Sequence, residues 1–264
     1  MTEAPSPSTA LDIFAGEWTS RLPPPLDDAD AGTVPLFADA KLDWGVRELG
    51  GVVDQSVLEC GPLEGGNTYM LLQRHAREVV AIEANRQAFL RCLIIKELFA
   101  LDRAKFLCGD VVRFLDETPD RFDLCVASGI LYHMPNPAEL VYLTSKVADR
   151  LFLWTHYWDG AVAASTRRAG VFTAHTPREY RGFRHTLHRH EYGPARWTSA
   201  FVGGSGSAGN WLSRDDLLGC LEHFGWRVVA VGFDDRAHQN GPSLALVARR
   251  ADAGSVPPVE QDRH

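Results

Sequence analysis

The segment VLECGPLEGGNTYML, residues 57–71, constrains the fold more than any other stretch of the chain. Aliphatic residues run into Glu59, then Gly61, Pro62, Gly65 and Gly66 precede a helix-forming run that includes Asn67 and extends from about Thr68 to His75. Glycine at such a strand-to-helix turn lets the backbone bend sharply or approach a ligand, and the open N–H groups of the following helix favour an anion. Many nucleotide-binding α/β proteins share that much. What narrows the reading is that EVVAIEA (78–84) closes on Glu83 and Ala84, and AKFLCGD (104–110) closes on Gly109 and Asp110, just before Val111. Three successive strands each offer a carboxylate at the carboxyl end, where open parallel sheets bind their ligands. Glu83 is suited to a pair of ribose hydroxyls and Asp110 to an adenine amino group.

The pattern continues with FDLCVAS (122–128) and RLFLWTH (150–156) as further strands, and with helices over 86–101 and 138–149 between strands. Short apolar runs alternating with helix-period stretches predict a parallel sheet flanked by helices. After His156 the alternation lapses, so residues 157–212 are expected to be a lid or substrate-binding insertion, with GGSGSAGN (203–210) as a flexible hinge. Ser213 caps a helix reaching Phe224, and WRVVAVGF (226–233) with PSLALVARR (242–250) reads as a closing antiparallel hairpin. Residues 11–50, carrying Phe14, Trp18, Phe37 and Trp44, are expected to cap the sheet of a main domain spanning 51–250. The polar ends, 1–10 and 251–264, are expected to be disordered tails.

At 264 residues the chain suffices for one such domain with an appendage. The formal net charge of -7 works against sequence-independent nucleic-acid binding by the surface as a whole. Five cysteines form no C-x-x-C pair and are expected to be reduced. The first residues lack the basic start and apolar run of a signal peptide, and no uncharged stretch is long enough to span a bilayer, so a cytoplasmic protein without membrane contact is expected.

On these residues the chain resembles the class I S-adenosylmethionine-dependent methyltransferases over about residues 50–250. The family's first motif matches Glu59, Gly61 and Gly65, with Leu63 where a further glycine is common; its second and third motifs match Glu83 and Asp110, and its fourth-strand motif matches ASGILYHMPNP, 127–137. The LYH tripeptide at 131–133 is similar to the branch holding tRNA-uridine carboxymethyl transferases and small-molecule methyltransferases. The resemblance implies a three-layer Rossmann-like sheet of seven strands, mostly parallel with a reversed final strand, and S-adenosyl-L-methionine as cofactor. Glu59, Gly61, Pro62, Gly65, Asn67, Glu83, Ala84, Gly109, Asp110, Val111, Ser128 and Gly129 would bind it. A dinucleotide-binding domain is disfavoured because residues 61–65 do not fit G-x-G-x-x-G.

Methyl transfer is an in-line displacement in which the protein mainly aligns the partners and excludes water, with a base needed only for a protonated acceptor. His133 and His156, at or just beyond strand ends, are the candidate bases; Tyr132, Trp154, Tyr157 and Arg181 are candidate acceptor-binding residues. Arg167, Arg168, Arg178, Arg181, Arg184, Arg189 and Arg196 make the insertion basic, which suggests a small anionic acceptor methylated on oxygen or nitrogen. An RNA-modifying methyl- or carboxymethyl-transferase and a non-catalytic cofactor-binding protein are the alternatives. His185, His188 and His190 fit no common zinc spacing, and no metal is expected.

Overall fold

The computed structural model describes residues 4–29, 31–165, 170–193 and 206–251. Within them the chain opens with the short helix α1 (Pro7–Leu11), and α2 (Ala40–Glu48) precedes the first strand. Then β1 (Ser56–Cys60), α3 (Gly66–Gln73), β2 (Glu78–Glu83), α4 (Arg86–Leu98), β3 (Ala104–Cys108), α5 (Val111–Glu117), β4 (Leu124–Ser128), α6 (Pro137–Val147) and β5 (Arg150–His156) alternate as the sequence predicts. Past β5 come a single helical turn, α7 (Gly160–Ala163), strands β6 (Phe172–Tyr180), β7 (Phe183–Glu191) and β8 (Ala208–Trp211), helix α8 (Arg214–His223), and finally β9 (Trp226–Asp235) and β10 (Ser243–Arg250).

Seven strands form one sheet in the order β3-β2-β1-β4-β5-β10-β9. Its pairings among β1 to β5 are parallel, and β10 runs antiparallel to both β5 and β9, as expected of a reversed final strand. Every residue of β1 is buried because helices cover both faces, which is the usual state of a parallel sheet. Alternate residues separate into two cores. Leu58, Leu151, Leu153, Leu244 and Leu246 meet α6 and α8 through Leu140, Leu217 and Leu221. Val57, Val79, Leu124, Phe152 and Val247 meet α2, α3 and α4 through Leu42, Leu71 and Ile95, together with Leu11, Phe14, Trp18 and Phe37. Helix α2 lies so close that a side chain at Gly45 would stand 2.2 Å from the Phe152 ring.

Three features depart from the sequence reading. Residues 7–10, assigned to a structureless tail, form with Leu11 a helical turn because Ser6 and Thr9 make a reciprocal capping box and Pro7 fits the first helical position. The insertion is not irregular: β6, β7 and β8 build a three-stranded antiparallel sheet. Its strands FTAHTPREY and FRHTLHRHE are rich in His, Arg and Thr, so they lack the apolar alternation that betrays a half-buried strand. Part of the expected hinge is strand β8, whose Asn210 and Gly209 pair with Arg189 and His190. Residues 203–205, Arg167, Arg168, Arg196 and the C-terminal tail from 252 onward lie outside the described residues.

Candidate active site

Parallel strands in one sheet bring β1, β2 and β3 to a common carboxyl edge, and the Gly-rich turn wraps that edge. Gly61, Leu63 and Gly65 all take positive φ, at 72°, 56° and 80°. Glycine does so freely, whereas Leu63 bears strain of about 1 kcal/mol and is held in place by neighbours. Its N–H donates to Glu83 Oε2 at 3.1 Å. Glu83 Oε1 accepts from the Asn85 amide at 2.8 Å, and the Ala84 amide also bonds the carboxylate. Burial raises the Glu83 pKa despite those amides.

Glu59 is buried to 1% exposure. Its Oε2 accepts a short hydrogen bond from the Thr68 hydroxyl, while Oε1 is buried with no partner. Desolvation pushes its pKa up to about 7, outweighing the hydrogen bonds from Thr68 and Asn67. Asp110 is the N-cap of α5 rather than the last residue of a strand, because β3 ends at Cys108. Its Oδ1 accepts from the Val112 and Arg113 amides at 2.8 and 3.1 Å, and the residue is exposed at the rim with Gly109. Val111 is buried beneath, and Ala84 is exposed beside Glu83.

On the other side of β1, β4 ends at Ser128, paired with Trp154 of β5, and Gly129 follows with φ 79°. A side chain at Gly129 would meet the Trp154 ring at 3.2 Å and the Tyr132 hydroxyl at 3.7 Å. Here the residues chosen from sequence come together. His156, buried to 6% exposure, lies 4.7 Å from the Tyr132 ring and 5.2 Å from Trp154, centroid to centroid. Its Nδ1 stands 2.9 Å from the Gly241 carbonyl oxygen, which can only accept, so Nδ1 carries the proton and Nε2 the lone pair in the neutral ring.

Sequence reasoning missed three more walls of this cluster. Trp211 of β8 stacks on His156 at 5.1 Å and 11°, and His190 stacks on Trp211 at 4.8 Å and 10°. His238 lies 5.2 Å from His156. A signal for His238 existed: β10 runs antiparallel to β5, so the loop before Ser243 must arrive beside His156. Tyr192, just past β7, holds His133 Nδ1 at 2.6 Å through its hydroxyl. His133 ends the 3-10 turn Leu131–His133 and is tied to the insertion, whereas His156 is set in the sheet.

Two further assignments are corrected. Tyr157 is buried, but its hydroxyl donates to Asp234 at 3.1 Å, and burial followed by that carboxylate raises its pKa to about 12. Its hydroxyl is therefore committed to scaffold. Arg181 sits at the β6–β7 turn with its guanidinium 4.2 Å from the Tyr142 ring, and its carbonyl accepts from His223 in the last turn of α8. That is the far end of the insertion, about 20 Å along the strand from His190 at roughly 3.3 Å per residue. His188 stacks on Trp158 at 3.8 Å and meets His175. Among the described residues no group of three or more His, Cys, Asp or Glu is placed to hold a metal ion. No helix among them is long and apolar enough to cross a membrane.

No family model matches the chain. The N-terminal domain of EvdMO1, solved with SAH bound and again in the presence of SAH and D-fucose, superposes over 93% of this chain and 95% of its own at a TM-score of 0.65, with 20% and 19% identity respectively. The fold is that of the class I methyltransferases. Magnesium protoporphyrin IX methyltransferase from Synechocystis PCC 6803, with SAH bound, matches 81% of each chain at a TM-score of 0.57 and 15% identity. In sequence, the ubiquinone biosynthesis O-methyltransferase of Pseudoalteromonas translucida (strain TAC 125) is 24% identical over 126 residues, 46% of this chain and 51% of that protein. The match thus spans about half the length of that relative.

Proposed function

We propose that the chain is an S-adenosylmethionine-dependent O-methyltransferase acting on a small, neutral, hydroxyl-bearing acceptor, with His156 as general base. The observation that carries the proposal is the position of His156. It stands at the same sheet edge as Glu59, Glu83 and Asp110, two strands over from β1, with its proton-bearing nitrogen anchored on a backbone carbonyl. The three carboxylates fit the cofactor's donor groups: Glu59 Oε1 is a buried acceptor in want of a donor, Glu83 is a carboxylate set at the end of β2 for ribose hydroxyls, and the exposed Asp110 suits the adenine amine. Bound there, S-adenosylmethionine supplies a methyl group on a positively charged sulfur.

The residues around the acceptor position are aromatic rings and imidazoles: Tyr132, Trp154, His156, His190 and Trp211. Flat apolar faces that exclude water, with a nitrogen base among them, suit a hydroxyl compound having an apolar face, such as a sugar or a phenol. The D-fucose used with the EvdMO1 domain is a compound of that class. Arg178, Arg181 and Arg184 belong to the far half of the hairpin and Arg189, beside His190, is paired with Glu191 at 2.6 Å, which favours a neutral acceptor over the anionic one expected from charge counting. His156 Nε2 takes the hydroxyl proton as the oxygen becomes methylated; His133, bonded to Tyr192, fastens the insertion over the site. The carboxymethyl branch suggested by the LYH turn calls for cations beside the reacting group; Lys41, over the Trp154 ring at 5.1 Å, is paired with Asp39 at 2.8 Å, which favours plain methyl transfer.

Calorimetric titration with S-adenosylmethionine, S-adenosylhomocysteine and NAD tests the cofactor. Binding of both sulfur nucleosides and not of NAD is expected. Methyl transfer to a panel of neutral sugars, phenols and carboxylates then tests the acceptor, with His156→Ala expected to bind cofactor as the wild type does while turnover falls by about 10²- to 10⁴-fold. Transfer to carboxylates alone, or undiminished turnover in His156→Ala, would refute the assignment.

A further inference from the structure

The glycine-rich turn carries an acidic residue that the cofactor chemistry does not use. Glu64 lies between Gly61 and Gly65, and its side chain is completely buried. Its two oxygens accept from the backbone amides of Thr19 and Ser20, each at 2.9 Å. The Arg91 guanidinium, 5% exposed on α4, stands 3.3 Å from the same carboxylate. Arg91 also reaches Glu17 at 3.6 Å and lies over the Phe14 ring at 5.4 Å. One residue further on, a side chain at Gly66 would stand 2.6 Å from the Leu36 carbonyl oxygen. The N-terminal segment is therefore seated directly on the turn, through its backbone, at both ends of the glycine run.

We propose that Glu64 is a positioning residue that makes cofactor binding and docking of residues 14–20 a single event. The proposal rests on the cofactor reading above. A carboxylate buried this deeply is costly unless its lone pairs are filled, and two of its donors belong to the N-terminal segment. When that segment lifts, the turn loses those donors and Glu64 is driven toward water, which moves Leu63 and Gly65 with it. Leu63 is the residue whose strained backbone is held by Glu83, and Glu83 is the carboxylate assigned to the ribose. Cys92, beside Arg91 on α4, donates its thiol to the Leu63 carbonyl at 3.4 Å, so α4 steadies the turn from one side and the N-terminal segment from the other. Coupling of this kind is reciprocal: whatever docked segment favours bound cofactor, bound cofactor favours the docked segment to the same degree.

Hydrogen exchange of the wild-type protein with and without S-adenosylhomocysteine reads the coupling at the two amides that make it. Saturating S-adenosylhomocysteine is expected to slow exchange at Thr19 and Ser20 by about tenfold, within the usual range of coupling between sites. Glu64→Gln, which keeps the shape and halves the acceptor capacity, is expected to bind S-adenosylhomocysteine about tenfold more weakly while kcat at saturating cofactor stays within about twofold. Glu64→Gln should also lose the ligand-dependent protection at those two amides. Binding of S-adenosylhomocysteine with unchanged exchange at Thr19 and Ser20 would overturn the proposal and leave the cofactor assignment standing. Should Glu64→Gln fail to fold, that wild-type comparison decides the matter. Absence of binding to the wild type would overturn both.

Discussion

Replacing Glu59 by glutamine keeps the shape of a buried side chain and removes its ability to ionise. In the folded protein desolvation raises this carboxyl from an ordinary 4.5 to about 7. The folded state then binds a proton over a pH range in which the unfolded chain has released it, so stability must fall as pH rises from 4.5 through 7. By linkage the fall amounts to about 3 kcal/mol, complete above pH 7. His188 works in the opposite sense, because burial and the neighbouring His175 lower its pKa from 6.5 to about 4, adding stability as pH rises between those values. A wild-type stability profile alone therefore sums opposing contributions. The difference between wild type and Glu59→Gln cancels His188 and isolates Glu59.

Urea unfolding of both proteins at half-unit steps from about pH 4 to 8 supplies that difference. The wild type is expected to lose up to about 3 kcal/mol relative to the variant across the window. A ligand that brings an ammonium group to Glu59 Oε1 draws the carboxyl back toward ionisation. Binding of S-adenosylhomocysteine should thus tighten with rising pH in the wild type and stay level in Glu59→Gln. A stability difference independent of pH would refute the burial argument. A pH-dependent difference in stability without one in binding would refute only the role of Glu59 toward the ligand.

Tyr192→Phe removes the 2.6 Å bond to His133, one of the polar links between insertion and fourth-strand loop, and leaves that of Asn210 to the Pro135 carbonyl at 2.8 Å. A loss of about 1 kcal/mol, seen as a roughly fivefold rise in acceptor KM at unchanged kcat, is expected from steady-state kinetics. An equal fall in kcat would instead give His133 a part in the chemistry. Reversing Arg178 and Arg184 together to glutamate should change acceptor KM by less than about twofold, since both lie well over a Debye length from His190. A large, salt-sensitive loss of activity in that double variant would restore the anionic or RNA acceptor.

The scaffold was legible because its signals are local. Val57, Leu58, Val79, Ile82, Leu151 and Phe152 are buried on both faces of a sheet whose strands read as apolar runs, and each run stops at a polar residue near the edge that binds ligand. The cofactor carboxylates follow from the same logic, one strand at a time. The acceptor wall does not, because Tyr132, His156, His190, Trp211 and His238 come from five separate segments and meet only through the pairing of β10 with β5 and of β8 with β7. Charge in the insertion misled for a related reason. A hairpin of nine-residue strands has two ends, and counting arginines over its length averages the ring-lined end at Phe172 and His190 with the basic end at Arg178 and Arg184.

That separation of the two ends has a consequence for where charge can go during the reaction. In the proposed reaction His156 takes a proton from a hydroxyl, and a neutral ring becomes a cation among buried rings, a cost of several kcal/mol if nothing answers it. Two features do. The Gly241 carbonyl accepts from Nδ1 and strengthens its bond as the ring gains charge, a charge-assisted bond being about twice a neutral one. The Trp211 face, stacked on the imidazole at 5.1 Å, places π electron density against it. Arg189, at this end of the hairpin, is paired with Glu191 at 2.6 Å, which offsets its repulsion of that cation. A base that must become positive belongs among rings, and Arg178, Arg181 and Arg184 lie toward the opposite end of the hairpin.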